Sequence, residues 1–159
     1  MTDPTPASDR ANRYPWPPII YFVALALTFL FDRLIPLWPR AFDPELHHLD
    51  DLLIAAGLAI AFSGFFHFQS IGTPFDPTGQ AKVMACSGIY RFTRNPMYLG
   101  ALIFFAGFGL AMNSGWLLIA VPAIAYAMTK LAIEPEEAYL TRRFGDAYRA
   151  YCARVRRWL

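Results

Sequence analysis

The side chains best suited to bind a small anionic group lie around position 95. Asn95 and Pro96 are residue types that often stand at the N-cap and in the first turn of a helix, and Arg91 and Arg94 precede them. The N-terminus of a helix attracts anions, and two nearby guanidinium groups add positive charge. The pattern therefore indicates an anion-binding helix start. The alternative is that Asn95 only caps the helix and the arginines only lie at a membrane surface.

A second group of candidate residues lies near the C-terminus. Glu136 and Glu137 open a segment in which apolar residues recur at helical spacing, opposite a face rich in arginine. On this helical wheel Glu137 falls among the apolar residues and Glu136 on the basic side. A carboxylate on a buried face needs a partner or a ligand, so Glu137 is the better functional candidate. The alternative is an ion pair between Glu137 and an arginine or Lys130.

The composition of the chain restricts its class. Hydrophobic residues make up 56% of the 159 residues and charged residues 16%, with a mean hydropathy of +0.32. So much apolar surface excludes a disordered chain and argues against a water-soluble globule of this size. Two cysteines exclude a disulfide scaffold, and the net charge of +2 gives no argument for nucleic acid. The three histidines form no metal motif, so we expect no metal partner. The composition as a whole therefore predicts an integral membrane protein without metal or nucleic-acid partners.

Stretches without charged residues indicate where the chain crosses the membrane. A helix needs about 20 apolar residues to cross the hydrocarbon layer. Uncharged stretches run over 14–31, 52–75 and 95–129, and the last is long enough for two spans joined by a turn at Asn113-Ser114-Gly115. We therefore predict a single-domain, all-α integral membrane protein. Its parts are a flexible lead at 1–15, transmembrane helices at 16–35, 51–69, 96–112 and 116–133, a cytoplasmic loop at 70–95 and a cytoplasmic amphipathic helix at 134–159.

Small residues within the third predicted helix have a structural interpretation. Gly107 and Gly109 flank Phe108 deep in this helix. In membrane helices such small residues typically allow a neighbouring helix to approach closely. We therefore expect these glycines to pack against another helix.

The distribution of basic residues predicts the orientation. Four spans divide the polar segments into two sets, and 12 of the 14 Lys and Arg residues fall in the set made of the N-terminus, the 70–95 loop and the tail. Only Arg33 and Arg40 fall in the other set. Cytoplasmic segments carry the excess of basic residues, so both termini are expected in the cytoplasm, as in a bacterial inner-membrane protein. Both candidate segments would then lie on one side and could form one site.

Two motifs together resemble a known family. The first is Gly88-x-Tyr90-Arg91-x-x-Arg94-Asn95-Pro96-x-Tyr98-x-Gly100, and the second runs from Glu136-Glu137 through Phe144-Gly145, Tyr148 and Tyr151 to Val155-x-Arg157. In this order, and separated by a helical hairpin, they resemble the isoprenylcysteine carboxyl methyltransferase family. The chain is also similar to membrane phospholipid N-methyltransferases, which share an Asn-Pro-x-Tyr-x-Gly element and a Glu-Glu pair.

The resemblance implies an enzyme that uses S-adenosylmethionine as methyl donor, in a cytoplasm-facing site between the last spans and the C-terminal segment. It implies a lipophilic methyl acceptor, such as the carboxylate of a prenylcysteine-like molecule, that arrives through the surrounding membrane lipids. Arg91 and Arg157 are expected to orient the acceptor carboxylate. The residues expected to bind S-adenosylmethionine are Tyr90, Arg94, Asn95, Pro96, Tyr98, Gly100, Glu136, Glu137 and Tyr148.

The chain departs from the family pattern at two points. Asn95 stands where many members have histidine, and it keeps hydrogen-bonding capacity but cannot titrate near neutrality. The chain ends in Arg157-Trp158-Leu159, whereas members often end in Arg-x-x-Pro. Two other functions stay open at this point. One is a reductase-like membrane protein that binds another nucleotide, and the other is a membrane partner protein without enzymatic activity.

Overall fold

The computed structural model describes residues 16–37, 47–71 and 83–159, and within these ranges every regular element is helical. The predicted lead at 1–15 and the 72–82 part of the predicted loop lie outside the described residues. The helices are α1 Trp16–Leu34, α2 His47–Ser70, α3 Pro96–Ala111, α4 Gly115–Met128, α5 Glu134–Phe144 and α6 Asp146–Arg154. A 3₁₀ turn at Gly88–Arg91 precedes α3, and a π-helical turn at Thr129–Ile133 joins α4 to α5.

The chain is an all-α membrane protein. Long apolar helices able to cross a bilayer are Trp16–Leu34, His48–Ser70 and the continuous helix Gly115–Phe144, which contains α4 and α5. α3 is also apolar but has only 16 residues. The helices occur in the order predicted from the uncharged stretches. The largest difference is at α2, which begins before position 51, because acidic residues such as Asp50 are favourable in the first turn of a helix.

Glycines let α2 and α3 pack backbone against backbone. A Cβ atom on Gly100 would lie 2.5 Å from the carbonyl oxygen of Gly57 and 2.6 Å from the amide nitrogen of Ala61. Further along α3, a Cβ atom on Gly107 would meet the α2 backbone at 2.8 Å, and one on Gly109 would meet an α4 side chain at 2.9 Å. The prediction that Gly107 and Gly109 allow close helix packing is confirmed.

The core lies where α1, α3 and α4 meet. Ile124, Met128 and Ala132 are buried there, and Tyr21 of α1 and Tyr98 of α3 pack against them. Two tyrosines thus bring hydroxyl groups into an otherwise apolar core. Tyrosine hydroxyls normally find a hydrogen-bond partner when they are buried, so their partners matter for function.

The π-helical turn determines which side of α5 faces the core. Its hydrogen bond from the Glu134 amide to the Thr129 carbonyl spans five residues, so the turn holds one residue more than an α-helical turn. In a regular helix, steps of about 100° from the buried residues of α4 would place Pro135 at the centre of the buried side. The additional residue gives this position to Glu136.

The expected single helix at 134–159 is two helices that separate at Gly145. This glycine has a φ of 57°, in the left-handed region that glycine adopts readily, and α5 ends directly before it and α6 begins directly after it. α6 then buries Tyr148 and Tyr151 together with Val155. The backbone is extended at Val155, with φ −122° and ψ 127°, so the final residues leave the helix.

Candidate functional site

The tail and the segment before α3 are joined by three hydrogen bonds. The amide of Arg94 donates to the carbonyl of Arg156 at 3.0 Å. The carbonyl of Arg157 accepts from the Thr93 hydroxyl at 3.2 Å and from the Asn95 side-chain amide at 2.9 Å. The two candidate segments therefore meet, as expected if they form one site.

Asn95 has a different role from the one predicted at the start of α3. It occupies the N-cap position with Pro96 directly after it, but its side chain makes no capping hydrogen bond. The side-chain amide binds the tail instead, while the Asn95 backbone amide donates to the Thr93 hydroxyl at 3.2 Å. Asn95 thus holds the two segments together.

Glu137 is the charged centre of this junction. Its carboxylate accepts hydrogen bonds from Arg157 at 2.6 and 3.1 Å and lies 3.2 Å from the Arg94 guanidinium. The side chains of Arg94 and Glu137 are only 14% and 17% exposed, so solvent screens their attraction less than at an open surface. The bond to Glu137 raises the pKa of Arg157, so the Arg157 guanidinium group stays charged. The alternative interpretation, in which Glu137 pairs with an arginine, is what the structure shows.

Glu136 has a different environment from its neighbour. Its carboxyl group interacts electrostatically with the Tyr98 hydroxyl of α3. It lies past the apolar part of the long helix, and burial, followed by the nearby charge of Glu137, raises the pKa of Glu136 to about 7. The helical wheel, whose phase was taken from Leu140, predicted Glu136 on the basic side; among the described residues Glu136 forms no ion pair, and it interacts with Tyr98 instead.

Tyrosines from the loop and the tail complete the buried part of the site. Tyr90 is 4% exposed, and its hydroxyl has no hydrogen-bond partner among the described residues. Its carbonyl accepts from the Tyr151 hydroxyl at 2.7 Å. Tyr148 is buried beside Cys152, whose sulfur accepts from Arg94 Nη1 at 2.6 Å. Burial raises the pKa of Tyr90 and of Tyr148, so both phenols are neutral donors at physiological pH.

Three of the predicted site residues lie at the margin of this arrangement. Gly100 faces α2, where its missing side chain allows the close approach described above. Pro96 is buried at the first turn of α3. Arg91 is exposed, with its guanidinium carbon 5.7 Å from the centre of the Phe92 ring. The structure brings the other eight predicted residues together at the junction of α3, α5, α6 and the tail.

Sequence reasoning missed two residues of the site. Tyr21 of α1 has a buried hydroxyl without a hydrogen-bond partner among the described residues, and it interacts electrostatically with Tyr98. The signal that could have identified Tyr21 is that it is a tyrosine inside an otherwise apolar span. Cys152, which accepts from Arg94, was hidden because a cysteine on an apolar helix face usually packs as a small hydrophobic residue.

A groove between α1 and α4 begins near this site. It has a volume of about 490 Å³, and its walls are apolar side chains together with Thr28, whose hydroxyl donates back to the Leu25 carbonyl at 3.0 Å. At the end away from the site, the Phe31 and Trp116 rings lie 5.0 Å apart. At the other end the groove shares Ile124 with the core cluster on which Tyr98 packs. A groove of this kind suits a hydrocarbon chain.

The site therefore combines groups with different chemistry. Arg94 Nε is a buried donor without a hydrogen-bond partner in the described part of the chain, and the Tyr90 hydroxyl can donate or accept. The Glu136 carboxyl and the aromatic faces of the tyrosines suit a cationic or aromatic group. Such a set can bind a small molecule that carries both charges and an aromatic ring.

Known proteins resemble this chain in the region of the site. A family model described as phospholipid methyltransferase matches residues 47–147, which include the start of α3 and both glutamates. The chain is 30% identical to methanethiol S-methyltransferase 1 of Bradyrhizobium diazoefficiens, over 86% of this chain and 51% of that protein. It is 35% identical to an uncharacterized protein of Haemophilus influenzae, over 40% of this chain and 100% of that protein. The chain thus spans about half the length of the first of these relatives.

Proposed function

Because the chain belongs to the phospholipid methyltransferase family, we propose that it transfers a methyl group from S-adenosylmethionine to a lipophilic acceptor at the cytoplasmic face of a membrane. The observation that carries this proposal is the junction around Glu137. There the start of α3 and the tail are held together beside buried polar atoms that have no partner in the described chain. The description of the family names methyl transfer, and we propose that the junction is the binding site of the methyl donor.

The residues of the junction fit S-adenosylmethionine. Arg94 Nε and the free amides at the start of α3 would bind its carboxylate, and the Tyr90 hydroxyl would bind a polar edge. Tyr98 and Tyr148 would lie against the sulfonium or the adenine, and the glutamates would accept hydrogen bonds from its ammonium or ribose groups. When bound, the donor supplies an electrophilic methyl group, so the protein needs no nucleophile of its own. Its residues bind, orient and exclude water.

The groove between α1 and α4 supports a lipophilic acceptor. From Trp16 to Phe31 it follows α1 for about 22 Å, at about 1.5 Å per residue, which exceeds the thickness of one leaflet of a hydrocarbon layer of about 30 Å. A single lipid chain therefore has room along it. We propose that the acceptor enters from the surrounding lipids of a bacterial inner membrane, with its reactive end toward the cytoplasm.

Two reactive groups are candidates for the acceptor. The carboxylate of a prenylcysteine-like molecule follows from the family resemblance, and Arg91 or Arg157 would then orient it. A thiol follows from the methanethiol S-methyltransferase that the chain resembles over 86% of its length. Both would be methylated by direct displacement at the same methyl carbon.

Binding of S-adenosylhomocysteine, the product form of the donor, tests the proposal. We expect isothermal titration of the purified protein to show binding that weakens about 10-fold or more in Tyr98→Ala, because the aromatic side chain proposed to lie against the donor is lost. Tyr126→Ala is the matched control, since Tyr126 is 68% exposed and takes part in none of the hydrogen bonds or ion pairs described for the junction. Absence of binding to the wild-type protein, or equal affinity in Tyr98→Ala, would contradict the proposed site.

A further inference from the structure

Tyr21 of α1 carries a buried hydroxyl group without a hydrogen-bond partner in the described part of the chain. Thr28, two turns later on the same helix, is also buried, but its hydroxyl donates to the Leu25 carbonyl at 3.0 Å. A buried polar group that lacks such a partner costs the folded protein free energy. The Tyr21 hydroxyl is therefore better explained by a bound molecule than by packing alone.

The side chain of Tyr21 lies along the face of α3 that leads to the candidate site. The centres of the Tyr21 and Phe105 rings are 5.1 Å apart, and Tyr21 interacts electrostatically with Tyr98. Phe105 and Tyr98 are seven residues apart, so they share one face of α3. Tyr21 and Tyr98 also pack against the same buried core cluster. These contacts place Tyr21 beside the tyrosine that we propose to lie against the methyl donor.

Tyr21 also stands at the edge of the groove between α1 and α4. Ala24 and Thr28 follow it by three and seven residues on the same side of α1, and both line the groove. The Thr28 hydroxyl is engaged within its own helix, and the Trp116 indole at the far end donates to the Ile35 carbonyl at 2.8 Å. A molecule whose chain fills the groove would therefore meet the unpartnered Tyr21 hydroxyl where the groove approaches the donor site.

We propose that Tyr21 binds the reactive group of the methyl acceptor and holds it beside Tyr98, at the boundary between the groove and the donor site. This inference rests on the proposed methyl transfer, and it adds an acceptor-binding residue outside the region matched by the family model. A phenol hydroxyl can donate to a carboxylate oxygen and can accept from a thiol, so it suits both acceptors considered above. Its hydrogen bond fixes the position of the reactive atom and takes no part in bond making or breaking.

Tyr21→Phe tests this assignment, because it removes the hydroxyl and keeps the ring that packs on Phe105. The probes are 1-octanethiol and N-acetyl-S-farnesylcysteine, each with radiolabelled S-adenosylmethionine and the purified full chain. With the probe that the wild type methylates, we expect the KM for the acceptor to rise about 10-fold, as for the loss of one hydrogen bond, with kcat nearly unchanged. Tyr126→Phe is the matched control and should keep the wild-type KM, since it loses the same hydroxyl from an exposed position of α4.

Two further measurements separate acceptor binding from a structural role. The Tyr21 hydroxyl has no partner in the described chain, so its removal should leave the melting temperature in detergent equal to that of the wild type or raise it. Isothermal titration should give Tyr21→Phe the wild-type affinity for S-adenosylhomocysteine, because Tyr21 is not among the residues proposed to bind the donor.

Each other outcome contradicts a specific step. An unchanged acceptor KM would overturn the proposal, and so would a lower melting temperature, which would show that the hydroxyl has a structural partner. Weaker binding of S-adenosylhomocysteine to Tyr21→Phe would place Tyr21 in the donor site and also overturn it, while leaving methyl transfer intact. A wild-type protein that binds no S-adenosylhomocysteine would remove the proposed function itself. One that binds it but methylates neither probe would remove the lipophilic acceptor on which this inference depends.

Discussion

Glu137 is the residue on which the stability of the site depends. Glu137→Gln leaves Arg94 and Arg157 half-buried without their shared counter-charge, and removing one partner of a buried pair costs about 3–5 kcal/mol. Because this pair is partly exposed, we expect a loss of about 2 kcal/mol, measured by thermal melting in detergent. Lys130→Gln breaks the exposed pair with Glu134 and should leave the stability nearly unchanged. Equal melting of both variants would show that the Glu137 junction contributes no more than a surface ion pair.

The raised pKa of Glu136 predicts how stability depends on pH. Between pH 4.5, its ordinary value, and about 7, the folded chain keeps a proton that the unfolded chain releases. Stability contributed by this group is therefore present at low pH and is lost as pH rises toward 7. We expect Glu136→Gln to melt higher than wild type at pH 8, by a free energy on the order of 1 kcal/mol, and to match it at pH 5. A variant that is more stable yet less active would show stability given up for function; equal melting at pH 8 would contradict the raised pKa.

At the scale of single residues, the sequence pattern identified many residues of the site but not the contacts between them. Arg94 and Asn95 could be recognised as candidates because they lie at a helix start. Glu137 could be recognised because it is a carboxylate on an apolar helix face. Their partners are set by a long-range contact between positions 93–95 and 156–157, which no local pattern contains. For the same reason Asn95 was predicted as a cap, whereas its side chain bonds the tail.

At the scale of elements, the contact between α2 and α3 predicts a strong effect of one methyl group. Gly100→Ala would place a carbon 2.5 Å from the Gly57 carbonyl oxygen, inside van der Waals contact with rigid backbone, so the helices must separate. Gly145→Ala is the comparison, because its new carbon meets nothing within 4 Å and costs only the backbone strain of φ 57°, about 1–3 kcal/mol. We expect Gly100→Ala to melt well below Gly145→Ala. If the order is reversed, this helix contact does not limit stability.

Helix positions were predictable, whereas helix phases were not. The transmembrane helices could be predicted from uncharged stretches and turn residues, because a helix that crosses the lipid needs a long run of apolar residues. The π-helical turn at Thr129–Ile133 has no comparable sequence signature, and its additional residue turns Glu136 toward α3. The chain also changes from α5 to α6 at Gly145, and the helix direction beyond that point could not be assigned from the sequence. Both irregularities lie on either side of the glutamates, which is where functional sites often depart from regular structure.

At the scale of the whole molecule, the site depends on α1 as well as on the region matched by the family model. The match begins at residue 47, yet α1 supplies Tyr21 and one wall of the groove. The methyl donor would then be held by the matched half, and the acceptor by the contact between α1 and α4. Such a division would let related chains keep one donor and change the acceptor through their first helix.

The arrangement of α1 and α4 also predicts on which sides of the membrane the loops lie. The end of α1 and the start of α4 are joined by the Trp116 indole, which donates to the Ile35 carbonyl at 2.8 Å, so these two ends are on one side. From the distribution of basic residues we expect the tail on the other side. In a chain with Cys86 and Cys152 replaced by serine, Leu37→Cys should react with a membrane-impermeant maleimide in intact bacterial spheroplasts. Ala153→Cys, exposed on α6, should react only after permeabilisation. Labelling of both cysteines in intact spheroplasts would place the donor site outside the cytoplasm, where S-adenosylmethionine could not be supplied to it.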